Sequence, residues 1–464
     1  MSEVNLLHRK PTCTVPAHRY DKAYFWSFIA VIILCWSPSN LLAYLAPLLC
    51  VAIFVLLSKN QMVMRNVILW FLFWGILISA YIVLSPGFVV HSAILSVLTY
   101  SSFLVVLAIP GQLIARQGLL NRMLVWARWI VIIEALVGIT QGLYGFSRTG
   151  TFDSSNGDFV EGTIHLALAP ELAFSNPMFA INMAFLLIAI LPDLILRRKG
   201  FVAITLGSIA LILASVMHVL IILAVAGIIA ILLYWPISLR RRMTYLLMIG
   251  LIVAVALSFF ALRRNFGIAN SFARRLISGD SYRTQAVKRT VVDLPNDYPL
   301  VPIVGLGPGQ FSSRAGLIGT GLYFGGPLNS RPLPFVPQGM SQAFEDYTLD
   351  LWLAKTRGRG TGSTHQPFLS WLSVYSEWGI LVFVAIFIVV TFLLIRVRLV
   401  VHNYPQRILA TSFGIGLLLT LFLGIQENYW EVPQAILVGL MILKIQYAIL
   451  TSPDTRNKLG EYKL

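Results

Sequence analysis

The stretch "GSTHQPFLSWLSVYSEWG" (residues 362–379) gathers residue types that could move a proton. Ser363 and Gln366 stand at capping-box spacing and Pro367 suits a first helical turn, which predicts a helix beginning close to His365. A helix start carries free N–H groups and partial positive charge, so it draws an anion and resists a second proton on an adjacent imidazole. His365 is therefore expected to be neutral, as a general base for a hydroxyl nucleophile must be, with arginines to take up charge on a phosphate-type leaving group. The plainer alternative is that His365 caps the helix or hydrogen-bonds at a membrane surface. Glu377 follows ~18 Å further along a continuous helix, too far to share a substrate atom with His365. Its expected role is to anchor a neighbouring helix or a backbone group near the outer interface.

Upstream, "VGLGPGQF" (304–311) offers Gly305, Gly307 and Gly309. The spacing is not that of a dinucleotide loop, and no strand–helix–strand unit surrounds it. A tight turn that brings backbone close to another surface is expected instead. "TRGRGTGST" (356–364) lacks the Gly-Lys-Ser/Thr ending of a phosphate loop and reads as a flexible cationic connector. Without an Asp-x-Asp pair or a carboxylate and histidine cluster at ligand spacing, no metal and no cofactor are expected. Cys13, Cys35 and Cys50 form neither a disulfide framework nor a zinc spacing.

The elements that must position these residues are membrane helices. Of 464 residues, 57% are hydrophobic and 12% charged, with a mean hydropathy of +0.79, too apolar for a water-soluble globule. Apolar runs long enough to cross ~30 Å of hydrocarbon lie near 23–38, 41–57, 66–84, 90–114, 124–145, 176–196, 200–216, 218–236, 243–262, 374–396, 407–424 and 433–450. Basic residues mark alternate connections: Arg9, Lys10 and Arg19; Lys59 and Arg65; Arg116, Arg122 and Arg128; 197–199; 240–242; Arg396, Arg398 and Arg407. The positive-inside rule makes these cytoplasmic. The expected fold class is an all-α integral membrane protein of about twelve transmembrane helices, with a long extracytoplasmic loop between helices 9 and 10. Three regions follow: an N-terminal membrane bundle, 1–262, with an outer loop at 145–176; the outer loop 263–373 carrying the site; and the C-terminal helices and tail, 374–464.

Between Arg263 and Thr364 stand twelve basic and six acidic residues, on the face where the charge rule predicts no basic excess. That imbalance points to an anionic partner outside the cytoplasm, not a nucleic acid. Contact with lipid headgroups is the bland alternative.

Several stretches resemble the O-antigen ligase and O-antigen polymerase superfamily. They are "SRTGTF" (147–152) with "SNPMFA" (175–180), "SGDSYRTQAV" (278–287) leading to "PIVGLGPGQF" (302–311), and "STHQPFLSWLSVYSEWGIL" (363–381). The resemblance implies a GT-C-like bundle in the bacterial inner membrane that transfers glycans from an undecaprenyl diphosphate carrier on the extracytoplasmic face, without metal or soluble nucleotide sugar. It implies that Arg283 contacts the carrier diphosphate, that His365 activates the acceptor hydroxyl, and that Arg148 corresponds to the arginine before the family's Gly-Thr-Phe stretch. Two positions depart from the pattern. Gln366 stands where Asn is usual, and "ASVMHV" (214–219) places His218 where the family often has arginine, so His218 is expected to take over a diphosphate contact or the contact is absent.

Three activities share such a site: polymerising repeat units, ligating a finished glycan to lipid A–core, and glycosylating a protein. Polymerisation is favoured slightly, with a carrier-linked glycan as donor, a glycan or lipid A–core as acceptor, and membrane lipids, a flippase and a chain-length regulator as partners. A rival class is a transporter of carrier-linked sugar, supported by Glu134 in "VIIEALVG", an acid inside a span. Coupled transport usually needs several such groups and often an internal repeat, and no repeat is evident. A hydrogen bond in the bundle interior is the equally open reading of Glu134.

Overall fold

The computed structural model describes residues 18–37, 40–85, 87–150, 159–164, 176–236, 274, 278–279, 281–324, 332–357 and 368–453, and over these the chain is helical, without strands. His365, Gln366, Cys13 and the span expected at 243–262 lie outside the described residues.

The membrane part begins with α1 (His18–Cys35), α2 (Asn40–Ser58), α3 (Gln61–Leu84), α4 (Val90–Thr99), α5 (Ser101–Ala108), the single turn α6 (Gly111–Ile114) and α7 (Gln117–Thr149). It continues through α8 (Asn176–Arg197), α9 (Phe201–Leu213) and α10 (Met217–Tyr234). Among the described residues, seven helices are long and apolar enough to cross a membrane: α3, α7, α8, α10 and the three C-terminal helices α17 (Ser370–Val400), α18 (Tyr404–Gln426) and α19 (Pro433–Thr451). The pair α4 and α5, bent by 51° between them, makes an eighth if counted as one span. The expected spans at 41–57 and 200–216 appear as the shorter apolar helices α2 and α9; α9, with 13 residues, reaches only ~20 Å.

The bend between α4 and α5 follows from hydroxyls that back-bond to the preceding turn. Ser96 Oγ donates to Ser92 O (3.2 Å), Thr99 Oγ1 to Ser96 O (3.3 Å) and Ser101 Oγ to Leu98 O (2.5 Å).

Lipid tails are as apolar as leucine, so these helices cannot be held together by burial of apolar area alone. Close approach and polar contacts do that work. Gly439 of α19 lies against the ring of Phe185, and Gly414 of α18 against Tyr234. Tyr24 Oη donates to Met441 O (2.8 Å), Ser412 Oγ to Ile188 O (2.8 Å), Gln446 Nε2 to Ser412 Oγ (3.0 Å), and Asn182 Nδ2 to Gln434 O. The helices α18 and α19 are the most enclosed of the spans, while α3 and α17 turn most of their side chains outward.

Alternation of the helices gathers the described basic connections at one end. There Arg116 pairs with Asp21 (3.1 Å), Arg197 with Asp193 (3.2 Å), Arg19 Nε donates to Leu57 O (2.6 Å) and Arg398 to Leu233 O. At the opposite end the described residues between 281 and 357 form a helical cap. It runs through α11 (Tyr282–Lys288), a wide turn at Arg289–Asp293, α12 (Leu294–Asp297), α13 (Val301–Val304) and α14 (Arg314–Gly319), then α15 (Gln342–Phe344), a second wide turn and α16 (Asp350–Arg357). Ser281, Ser313 and Ser341 cap α11, α14 and α15 by accepting from Thr284 N, Gly316 N and Phe344 N.

Candidate functional site

The glycine turn and Glu377 belong to one assembly. Inside α17 the backbone breaks at Gly379 (φ 78, ψ 174), so the helix is not continuous as expected. The helix start expected close to His365 lies outside the described residues; α17 itself starts at Ser370, after the extended Leu369, and the Ser370 N–H and hydroxyl meet the Glu427 carbonyl at 3.4 and 3.1 Å. Bonding to the connector between α18 and α19 fixes this start.

At the break, carbonyls of α17 are released from the helix and taken up by the turn. Leu306 N–H donates to Ser376 O (2.9 Å) and Gly307 N–H to Glu377 O (3.0 Å). A Cβ on Gly305 would overlap the Glu377 backbone, and one on Gly379 the Ile303 carbonyl, so glycine is required on both sides of the contact. The Glu377 side chain then threads the same turn. Its Oε2 accepts from Gly309 N (2.7 Å), and its Oε1 from Phe311 N (2.9 Å) and Ser313 N (3.1 Å). Glu377 is fully buried. The expectation that it anchors a backbone group describes what it does here.

A second buried carboxylate continues the pattern. Glu431, in the one-turn helix Tyr429–Glu431 between α18 and α19, accepts from Arg314 N (2.7 Å), Ala315 N (3.3 Å) and Asn428 Nδ2 (3.1 Å). Asn428 Nδ2 also donates to Ser312 O (2.9 Å), which takes a further bond from Ser373 Oγ (2.7 Å). Burial, followed by the nearby Glu377 carboxylate, pushes the Glu431 carboxyl up to about 8, against the Arg314 charge and the two backbone N–H groups that favour ionisation.

Around the same connector lie the sequence-predicted cations. Arg283, 6% exposed, donates from NH1 to Gln426 Oε1 at 2.7 Å. Burial lowers its affinity for its proton, and the Glu427 carboxylate and Tyr429 work the other way. His218, at the start of α10, stacks on Tyr429 with ring centroids 6.1 Å apart, and its Nε2 is 3.3 Å from Tyr429 Oη. Burial and then Glu427 hold the Tyr429 hydroxyl well above its ordinary range, so it keeps its proton for donation. Arg283 and His218 therefore share one neighbourhood. Arg148 has other company: it sits in the last turn of α7, its NH1 3.3 Å from Tyr144 Oη and its guanidinium 5.7 Å over the Tyr144 ring. The described contacts do not join it to Arg283 or His218.

Glu134 accepts from Thr163 N (2.7 Å) and Thr163 Oγ1 (2.5 Å), while Gln141 two turns along α7 accepts from Glu161 N and Gly162 N. Together they clamp the segment 159–164 onto α7.

Sequence reasoning counted Arg314 only within the basic excess of the 263–364 region and passed over Gln426, Glu427, Asn428, Tyr429, Glu431 and Lys444. Glu431 and Lys444 carried a signal, being ionisable residues within or beside an apolar run. Lys444 Nζ donates to the carbonyls of Val105 (3.1 Å) and Val106, closing the end of α5 ahead of Pro110. Among the described residues no group of three or more metal-ligating side chains is found. Compared with protein-family models, curated proteins and solved structures, the chain gives no match.

Proposed function

We propose that the protein is a membrane glycosyltransferase of the O-antigen polymerase or ligase kind, working on a glycan linked to a polyprenyl diphosphate. The observation that carries this reading is the burial of Arg283 beside His218 and Tyr429, in the cap opposite the charge-rich end. A guanidinium and an imidazole at that level suit a lipid-borne phosphate entering from the membrane. The sequence resemblance and the basic excess of the 263–364 region support the same reading. With the charge-rich end in the cytoplasm, the cap lies in the periplasm or outside, and about twelve spans remain our count for the full chain.

In the proposed reaction the acceptor hydroxyl gives its proton to the His365 imidazole and its oxygen attacks the anomeric carbon. The bond from that carbon to the diphosphate oxygen breaks, and the electron pair leaves on the carrier. Arg283 and His218 hold the charge that develops there, with Arg148 a lesser contributor from the α7 end and Gln366 beside the base. His365 is five residues along the chain from Ser370, the residue that meets the Glu427 carbonyl. A transporter finds less support, because both oxygens of Glu134 are engaged by Thr163.

The test is reconstitution of the purified protein with one polyprenyl-diphosphate glycan. Lengthening products without added acceptor identify a polymerase, and a requirement for lipid A–core identifies a ligase. His365→Ala and Arg283→Ala should each lower turnover by ~100-fold or more. Full turnover in both variants would end this proposal.

A further inference from the structure

The cap carries an apolar face that its own core leaves uncovered. Through α11, the wide turn at Arg289–Asp293 and α12, the residues Arg283, Ala286, Thr290 and Leu294 are buried. Between them Val287, Val291 and Val292 are exposed, the last by 56%, with Lys288 exposed beside them. Around α13 the pattern repeats: Val301 is buried, while Leu300, Ile303 and Val304 are exposed, Leu300 by 68%. In α12, between the two stretches, the Asp297 carboxylate is held by the Tyr347 hydroxyl. Water would favour polar side chains at six such positions, so a face of this kind marks contact with protein or with a membrane.

Its neighbours decide between the two. The wide turn and α13 both pack against α17. The Ile303 carbonyl lies against Gly379, and the next residues of α17, Ile380 and Leu381, are exposed. On the other flank Tyr81 Oη of α3 donates to the Val304 carbonyl, and α3 ends in the exposed Ile82, Val83 and Leu84. These are the two spans that turn most of their side chains outward, and α13 continues their lipid-facing surface. Depth agrees. From Ile380 to Ile395, just before Arg396, α17 covers ~23 Å, whereas the hydrocarbon is ~30 Å thick. With Arg396 at one boundary, the other lies beyond Ile380, at the level of the apolar face of the cap, and any tilt of the helix widens that shortfall.

We propose that this face is seated in the acyl region of the adjacent leaflet, with Lys288 reaching up to its headgroups, so that the cap is a membrane-embedded element and not a domain standing in water. Its partner is bilayer hydrocarbon. The inference does not depend on the glycosyltransferase reading. It holds Arg283, on the buried side of α11, at headgroup depth, whatever ligand meets that residue.

The test places a nitroxide on the full chain in nanodiscs, in a Cys13→Ser background, since Cys35 and Cys50 are buried. Val292→Cys and Ile303→Cys probe the face, and Glu345→Cys, exposed on the second wide turn (Glu345–Leu349), is the reference. Power saturation then compares collisions with oxygen, which concentrates in hydrocarbon, and with a water-soluble nickel chelate. The oxygen-to-nickel ratio should be severalfold higher at 292 and 303 than at 345. Nickel collisions at either position as frequent as at 345 put the face in water and overturn the inference. So do rare collisions with both reagents, the sign of a protein segment or a second copy lying over the face. Should one variant not fold, Val291→Cys, exposed on the same face, takes its place under the same criteria.

Discussion

Replacing Glu377 with alanine would strand three buried N–H groups, those of Gly309, Phe311 and Ser313. Each orphaned donor costs about 1–3 kcal/mol, so a loss of about 3 kcal/mol or more is expected, visible as a lower melting temperature in detergent. Glu377→Gln keeps one acceptor oxygen and should fall between. A wild-type melt in Glu377→Ala would refute the anchoring role. Glu431 adds a pH dependence. Its carboxyl is raised in the folded state, to about 8, so the folded protein binds the proton more tightly than the unfolded chain. The associated stability is fully present below the ordinary carboxylate range and is lost as pH rises through about 8. The melting temperature should therefore drop from pH 6 to pH 9, and Glu431→Gln should flatten that drop. Glu377 was legible in the sequence as an acid entering an apolar run, and Arg283 through its motif. The pairing of Arg314 with Glu431 was not, because the two are 117 residues apart in the chain, and an acid beside an apolar run does not by itself say which backbone it will meet.

At the scale of elements, hydropathy located the membrane helices but not their interruptions. The run 374–396 reads as one span, and Gly379 within it reads as an ordinary helix residue until the carbonyl it must avoid is known. The bend between α4 and α5 was equally hidden, since serine and threonine bend a helix only when they turn inward to the backbone. The break in α17 is testable. Gly379→Ala places a Cβ against the Ile303 carbonyl in a backbone conformation disfavoured for alanine, at an expected cost of about 1–3 kcal/mol. Alanine at Gly75, whose Cβ would meet nothing, should be tolerated. Equal melting temperatures for the two variants would show that the break is not needed.

For the whole molecule, the sequence-level alternation of basic connections corresponds to one charge-rich end in the fold, with the cap at the other. If that end is cytoplasmic, cysteines introduced by Lys199→Cys and Asn296→Cys should differ: on intact cells a membrane-impermeant maleimide labels only position 296. Labelling of position 199 alone would invert the topology. One more consequence concerns synthesis. The helix α19 supplies Lys444 to the carbonyls of α5, the Gln434 carbonyl to Asn182 and the Met441 carbonyl to Tyr24, across 339, 252 and 417 residues of chain. A ribosome must travel that far before those early groups find their mates. Until then the nascent chain holds open polar groups within the bilayer, and a cell's quality-control proteases have their longest opportunity in that interval.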